Sequence, residues 1–204
     1  MMKLYYAHGS CGLSPQILLR EAELAFDLVE VDFATKTTPE GDYLKVTPKG
    51  FVPALQLDDG DVITEGAVLL QWIADQVPER GLLPAFGTRE RYRALEWLNV
   101  VATDLHKGMA TMFSPSIDDA SKARFADGFL RGRFKVIEDH LSRNDYLLGA
   151  AFSAPDAYLY NVLCWPPRVG IDLSEYTAIE RFMQRMEQQP SVLAARAAED
   201  TPPR

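Results

Sequence analysis

The stretch Ser10-Cys11-Gly12-Leu13-Ser14-Pro15 carries the most chemistry for its length. It follows a short apolar run, Leu4-Tyr5-Tyr6, and precedes a helix-patterned segment, Gln16 to Glu23. A cysteine where a helix opens faces backbone N–H groups without internal partners and the positive end of the helix dipole. Both favour the thiolate, so the thiol pKa is expected to fall toward neutrality. Pro15 suits a first turn, where a missing N–H costs little. The residues alone leave two readings open: an activated thiol, or a small packing cysteine at a strand–helix junction.

Other groups could share that chemistry. Thr64-Glu65-Gly66 opens a second helix pattern, whose free N–H groups suit a carboxylate; plain capping is the other reading. Asn99, Thr103 and His106 recur at i, i+4 and i+7 on a long helix pattern, forming a polar stripe beside the apolar one. A histidine there could hydrogen-bond, polarise an electrophile or shuttle a proton near neutral pH; the other reading is a solvated helix face. Asp104 points to another side of that helix. His8 and His140 have no companions at metal-ligand spacing, so no metal site is expected. Cys164, Trp97 and Trp165 read as packing residues.

The elements that must position these groups change character along the chain. Lys3 to Ala7 reads as a strand and Gln16 to Glu23 as a helix. Phe26 to Asp32 alternates as a strand, and Asp42 to Val46 suits a short helix. Val52 to Leu57 and Asp61 to Thr64 read as a hairpin turned by Asp58-Asp59-Gly60. A helix then runs from Thr64-Glu65-Gly66 to Pro78, with Val68, Leu69, Trp72, Ile73 and Val77 at helical spacing. Residues 1–80 thus predict a small α/β unit of thioredoxin-like pattern, βαβ-α-ββα. Residues 81–87 read as a linker.

After residue 87 the strand signals stop, and 88–204 predicts an all-α domain. One long helix starts at Thr88-Arg89-Glu90 and continues until Ser114-Pro115. A second carries Leu130, Phe134, Ile137 and Leu141. Ser153-Ala154-Pro155-Asp156 resembles a capping box with Asp at N3, leading a buried helix to Leu163. Ile179 to Met186 and Val192 to Ala198 read as shorter helices, and Thr201 to Arg204 as a frayed tail.

Bulk composition narrows the function classes. The 204 residues are 47% hydrophobic and 25% charged, as in an ordinary globular protein. Net charge is −8, which argues against nucleic acid or an anionic membrane as partner. Residues 1–80 carry 13 acids against 6 bases, residues 81–204 carry 16 against 15, so the two parts differ in character. Two distant cysteines suit a reducing compartment. With no signal-like start and no membrane-length apolar run, a cytoplasmic location is expected.

Several segments together resemble the cytosolic glutathione transferases over essentially the whole chain. They are Lys3-Leu4-Tyr5-Tyr6 with Cys11 following, Pro48-Lys49-Gly50-Phe51-Val52-Pro53-Ala54-Leu55, Thr64-Glu65-Gly66, Asn99 to Lys107, and Phe152 to Tyr158. A cysteine at the first helix is similar to the bacterial beta class. The resemblance implies a cis bond between Val52 and Pro53, with the Val52 N–H and C=O turned to the peptide backbone of glutathione. It implies that Lys36 meets the glycyl carboxylate, and that Glu65 and Gly66 hold the γ-glutamyl ammonium and carboxylate. Many relatives carry Ser after this acid; Gly66 keeps the N–H and loses the hydroxyl. Asn99, Thr103 and His106 would line a glutathione cleft, and Asp104 would reach glutathione bound in a partner subunit. The resemblance also implies a homodimer, with Phe51 at or near its interface. Ser10 and Ser14 would position Cys11.

The expected activity is conjugation of the glutathione thiol to a hydrophobic electrophile, with glutathione as co-substrate and with Cys11 and His106 as catalytic residues. One alternative is glutathione-dependent thiol–disulfide exchange through a mixed disulfide on Cys11; Cys11-Gly12-Leu13-Ser14 is similar to a monothiol glutaredoxin motif. A further alternative is a non-enzymatic binding module on the same fold. Retention of Cys11, Lys36, Val52-Pro53 and Glu65 weighs against it.

Overall fold

The apolar run at the start forms the central strand of the first sheet. In the computed structural model, which describes residues 1–199, β1 (Met2–Tyr6) buries Leu4, Tyr5 and Tyr6 in succession. Burial on both faces explains why the run does not alternate. A crossover through α1 (Leu13–Glu21) brings β2 (Phe26–Glu30) alongside in parallel, with Leu4 opposite Leu28. Two short strands, β3 (Thr37–Thr38) and β4 (Gly41–Asp42), then pair with each other ahead of a 3₁₀ turn at Tyr43–Lys45. β5 (Ala54–Gln56) pairs antiparallel with β1 and with β6 (Val62–Thr64), giving the sheet order β2-β1-β5-β6. Gly60, at φ +90°, sits in the hairpin turn where only glycine is unstrained. α2 (Gly66–Asp75) completes this mixed α/β pattern.

α1 starts three residues before the sequence pattern placed it and ends two residues earlier. No glycine marks its end. Glu23 takes the left-handed position (φ +55°), with Leu24 N–H donating to Leu19 C=O and Glu23 N–H to Arg20 C=O. This is the bonding of a Schellman cap, with a glutamate where glycine is usual.

The second unit, Leu83–Gln188, is built from helices. Thr88 caps α3 (Arg89–Val100) by accepting from Arg91 N–H. The single long helix read from the sequence runs without a break from Arg89 to Met112, but it is not α-helical throughout. Val101–His106 is π-helical, and α4 (Lys107–Met112) follows it. The i→i+5 bonding of a π segment adds about one residue to each turn, yet Leu98, Val101, Leu105, Met109 and Met112 remain buried across it. A second π segment, Ala126–Leu130, lies between α5 (Asp119–Phe125) and α6 (Arg131–Leu141). This second π segment packs on α4 at Gly108, where an added Cβ would come within 2.7 Å of the Leu130 side chain. α7 (Ala154–Leu163) is buried along its whole length, and α8 (Thr177–Met186) buries Ile179, Phe182 and Met186.

α9 (Pro190–Glu199) belongs elsewhere than the sequence reading put it. Among the described residues, the first unit consists of 1–82 and 189–199, and α9 packs there against α1. Its apolar face, with Val192 and Ala195 buried, was legible in the sequence; the face covering it was not. Of the residues read as a linker, Gly81 and Leu82 end the first unit and 83–87 begin the second, where Pro84 C=O accepts from Arg91 and Ala85 C=O from Thr88. The expected frayed tail, Thr201 to Arg204, lies outside the described residues.

The capping box holds the buried helix in place. Asp156, fully buried, accepts from Ser153 N–H at 2.9 Å and from Leu147 N–H at 2.8 Å, and its other close partner is the Ser153 hydroxyl. Removing the carboxylate strands buried donors, so Asp156→Ala should lower the unfolding free energy by about 2–4 kcal/mol in urea titration. Burial pushes the Asp156 carboxyl up to about 7, against the hydrogen bonds that favour its anion. The folded chain then holds this proton more tightly than the unfolded chain, where 3.8 is the ordinary value. This contribution to stability is full below about pH 4 and is lost as pH rises to about 7. Asp156→Asn should flatten that part of the melting-temperature profile.

Candidate active site

In the first unit, the turn after β1 fixes Cys11 through its neighbours. Ser10 Oγ accepts from Gly12 N–H at 3.1 Å and from Ala7 N–H at 3.4 Å, and Ser14 Oγ donates to Cys11 C=O at 3.1 Å. Cys11 lies two residues ahead of α1, partly exposed, and its thiol donates to Val52 C=O at 3.3 Å. The Val52–Pro53 bond is cis, as the resemblance implied. Gly12 is needed by close approach: a Cβ there would lie 2.7 Å from Tyr6 Cβ.

Tyr43 closes the floor below Val52. Burial, and after it the neighbouring Tyr5 and Cys11, push its phenol well above its usual pKa. It therefore remains a donor, and bonds Phe51 C=O at 2.8 Å. The packing of Tyr5, Tyr43, Val52 and Ala54 sets the cis turn against the central strand.

Glu65 occupies a conformation that side chains rarely adopt, φ +72° and ψ 115°, at the head of α2. It makes no side-chain cap, which sets aside plain capping. A strained residue at a helix start with its carboxylate outside suggests a demand other than folding. Lys49, which sequence reasoning had not singled out, donates from Nζ to Glu65 Oε1 and Thr64 Oγ1, both at 2.9 Å. Only three-dimensional closure of the Thr47–Gly50 turn reveals this pair. The N–H groups of Gly66 and Ala67 precede the first bonds of α2, which Val68 and Leu69 make to Glu65 C=O.

Lys36 is engaged. Its ammonium donates to Gly50 C=O at 2.9 Å and lies 3.4 Å from the centre of the Phe33 ring. Its own φ is +55°. To meet a carboxylate it would exchange a carbonyl for a full charge while keeping the ring.

The second unit carries the other group. His106, at the end of the π segment, bonds the Tyr158 hydroxyl through Nδ1 at 2.6 Å and meets the Trp165 ring edge to face at 5.0 Å. Phe113 packs on Trp165 in turn. Trp165 read from the sequence as a packing residue, and nothing in the spacing tied it or Tyr158 to His106. Thr103 donates to Asn99 C=O at 2.9 Å and to Asp104 at 3.2 Å, while Asp104 pairs with Arg133 at 2.9 Å. Asn99 and Thr103 are exposed. Thr103 is thus turned to the backbone and to Asp104, and the expected stripe is a local network. Cys164, expected in the core, is partly exposed, and neither cysteine forms a disulfide. Among the described residues, no group of three or more His, Cys, Asp or Glu could hold a metal ion.

These two groups match one known family. Residues 10–76 match the family described as glutathione S-transferase, N-terminal domain, and residues 100–190 its C-terminal domain. The chain is 41% identical, over 97% of its length and 98% of the relative's, to glutathione S-transferase GstA of Escherichia coli O157:H7. The chain belongs to the glutathione S-transferase family. Its solved relatives include a sphingomonad glutathione S-transferase complexed with glutathione, 40% identical, covering 98% of this chain and all of that one, with a TM-score of 0.94. They also include a bacterial beta-class glutathione S-transferase of Sphingomonas chungbukensis, 40% identical, covering 97% and 98%, with a TM-score of 0.92. The transferase fold, a thioredoxin-like mixed sheet and a helical unit, is the one the sequence pattern predicted.

The contact at Gly12 makes a specific test. Gly12→Ala forces its Cβ against Tyr6 and should cost about 1–3 kcal/mol in urea unfolding, with a shift of the Cys11 turn. Gly132→Ala, where an added Cβ meets nothing within 4 Å, is the control.

Proposed function

We propose that this transferase conjugates the thiol of reduced glutathione to hydrophobic electrophiles, in a detoxifying role. The observation that carries the proposal is the pairing of two features on one unit. One is the Cys11 thiol on the Val52 carbonyl beside the cis bond; the other is the strained Glu65 with the amides of α2 behind it.

Each group has a task. The Val52 N–H and C=O pair with the glutathione backbone as an added strand would. The γ-glutamyl carboxylate takes the N–H groups at Gly66, and its ammonium takes Glu65 in place of Lys49. Lys36 turns from the Gly50 carbonyl to the glycyl carboxylate. Cys11 donates its hydrogen bond to the glutathione sulfur, which favours the thiolate. That thiolate attacks the electrophilic carbon; a carbon–sulfur bond forms and the leaving group departs with its electron pair. We assign electrophile recognition to the second unit, where His106, Tyr158, Trp165 and Phe113 offer aromatic surface with one polar edge. Asn99, Thr103 and Asp104 remain candidate glutathione contacts; Asp104 would have to share Arg133.

Homodimerisation is part of the proposal. Phe51 is 67% exposed and Phe33 45%, with ring centres 6.4 Å apart, an aromatic pair that a second copy of the chain would cover. A cytoplasmic location agrees with two cysteines outside any disulfide and with the lack of a membrane-length apolar helix among the described residues.

The partly exposed Cys11 thiol also supports a second reading, disulfide exchange through a mixed disulfide with glutathione. One comparison separates the two. Under the leading reading, Cys11→Ala keeps conjugation to an aryl halide within about tenfold of wild type, because one hydrogen bond to sulfur is lost. Conjugation abolished together with disulfide reduction would make Cys11 the nucleophile. Glu65→Ala should weaken glutathione binding by about tenfold or more in calorimetry, the loss of one charge-assisted pair. A wild-type protein that gives no binding heat with glutathione would overturn both readings in favour of a non-enzymatic module.

A further inference from the structure

A polar concavity confined to the helical unit has a charge opposite to that of the chain. It has a volume of about 470 Å³ and lies between the end of α6, the loop through Asp145 and Gly149, and one face of α8. Arg143, Arg181 and Arg185 line it, with Asp145 the only acid on its wall. The chain as a whole carries −8, so three arginines around one cavity run against its overall balance.

The three guanidinium groups are not equivalent. Arg185 is fixed: it donates to Asp145 C=O at 2.7 Å and to Asp145 Oδ1 at 2.8 Å, and it stands 5.4 Å over the Tyr146 ring. The loop beneath is itself held, by reciprocal Tyr146–Gly149 backbone bonds and by Leu147 N–H on buried Asp156. Asp145 is therefore used by Arg185. Arg143 and Arg181 form no ion pair with any described residue. Arg181 and Arg185 stand at i and i+4 on α8, a like-charge spacing that disfavours the helix. Arg143 gains from the carbonyl end of α6, but that does not neutralise it. His140, whose imidazole burial and then Arg143 pull down, adds no positive charge and bonds Leu147 C=O.

We infer that this cavity is a binding site for a small polyanion bearing two or more oxyanion groups. Guanidinium groups pair bidentately with carboxylate and phosphoryl oxygens alike. One oxyanion meets Arg181 on α8, and another meets Arg143 across the cavity. The Asn144 side chain, held by donation to His140 C=O, adds a polar wall. The site is distinct from Cys11 and Glu65, which lie in the other unit.

Calorimetry on the whole chain tests this, with pyrophosphate and citrate as probes for phosphoryl and polycarboxylate ligands. At least one should bind with one-to-one stoichiometry and a Kd below about 1 mM at low salt, weakening as salt is raised. The double variant Arg143→Gln and Arg181→Gln should weaken it tenfold or more, with its melting temperature and its uninhibited conjugation rate unchanged. Binding of pyrophosphate alone assigns the site to phosphoryl ligands, and of citrate alone to polycarboxylates. No heat with either probe, or equal binding by the double variant, would overturn the inference.

Discussion

The structure depends on burying both faces of β1. Leu4, Tyr5 and Tyr6 leave almost no surface to water, so the sheet, α1 and the Pro53 turn must each close on this strand. Burial of that much apolar surface is the largest favourable contribution available to a small α/β unit. It also leaves little freedom at the strand's end. The chain has to turn within a few residues, and Gly12 is what allows the turn to lie against Tyr6. Cys11 is therefore held by the part of the unit that is hardest to deform.

Glutathione-like chemistry asks for charges at places where folding alone would not put them. Glu65 holds a conformation unfavourable for a side chain and shows its carboxylate to solvent, where Lys49 meets it. Both partners are more than half exposed, so the pair is worth little to stability and is easily exchanged. Lys36 likewise rests on a neutral carbonyl. An ammonium on an acid and a lysine on a carbonyl are arrangements that a zwitterionic, carboxylate-bearing ligand can replace at small cost. In the helical unit, the His106–Tyr158 bond keeps the imidazole oriented within a ring of aromatic groups.

What was legible in the sequence was what depends on local rules. Alternation gave β2, the Asp59-Gly60 turn gave the hairpin, Thr88 gave the start of α3, and Ser153 with Asp156 gave the capping box. Cys11, Val52-Pro53 and Glu65 stood out because helix ends and X–Pro bonds carry chemistry in their backbone. The parts that were not legible are set by distant partners. No local pattern says that Lys49 will reach Glu65, or that Tyr158 will meet His106 from 52 residues away. The π segment hides for another reason: its extra residue per turn leaves the apolar residues at spacings that an α-helix also allows. α9 shows the same limit at larger scale, since an amphipathic face names its character but not its neighbour.

The return of α9 to the first unit has a consequence for the order of assembly during synthesis. The residues of the helical unit, Leu83–Gln188, are contiguous, so that unit can close as soon as they are made. The first unit is interrupted: α1 waits for a helix that is translated more than a hundred residues later. The order of completion is therefore helical unit first, although the N-terminal part is made first. The half that bears Cys11 is begun first and finished last. Until α9 arrives, the nascent sheet presents an uncovered helix face to the ribosome and its chaperones.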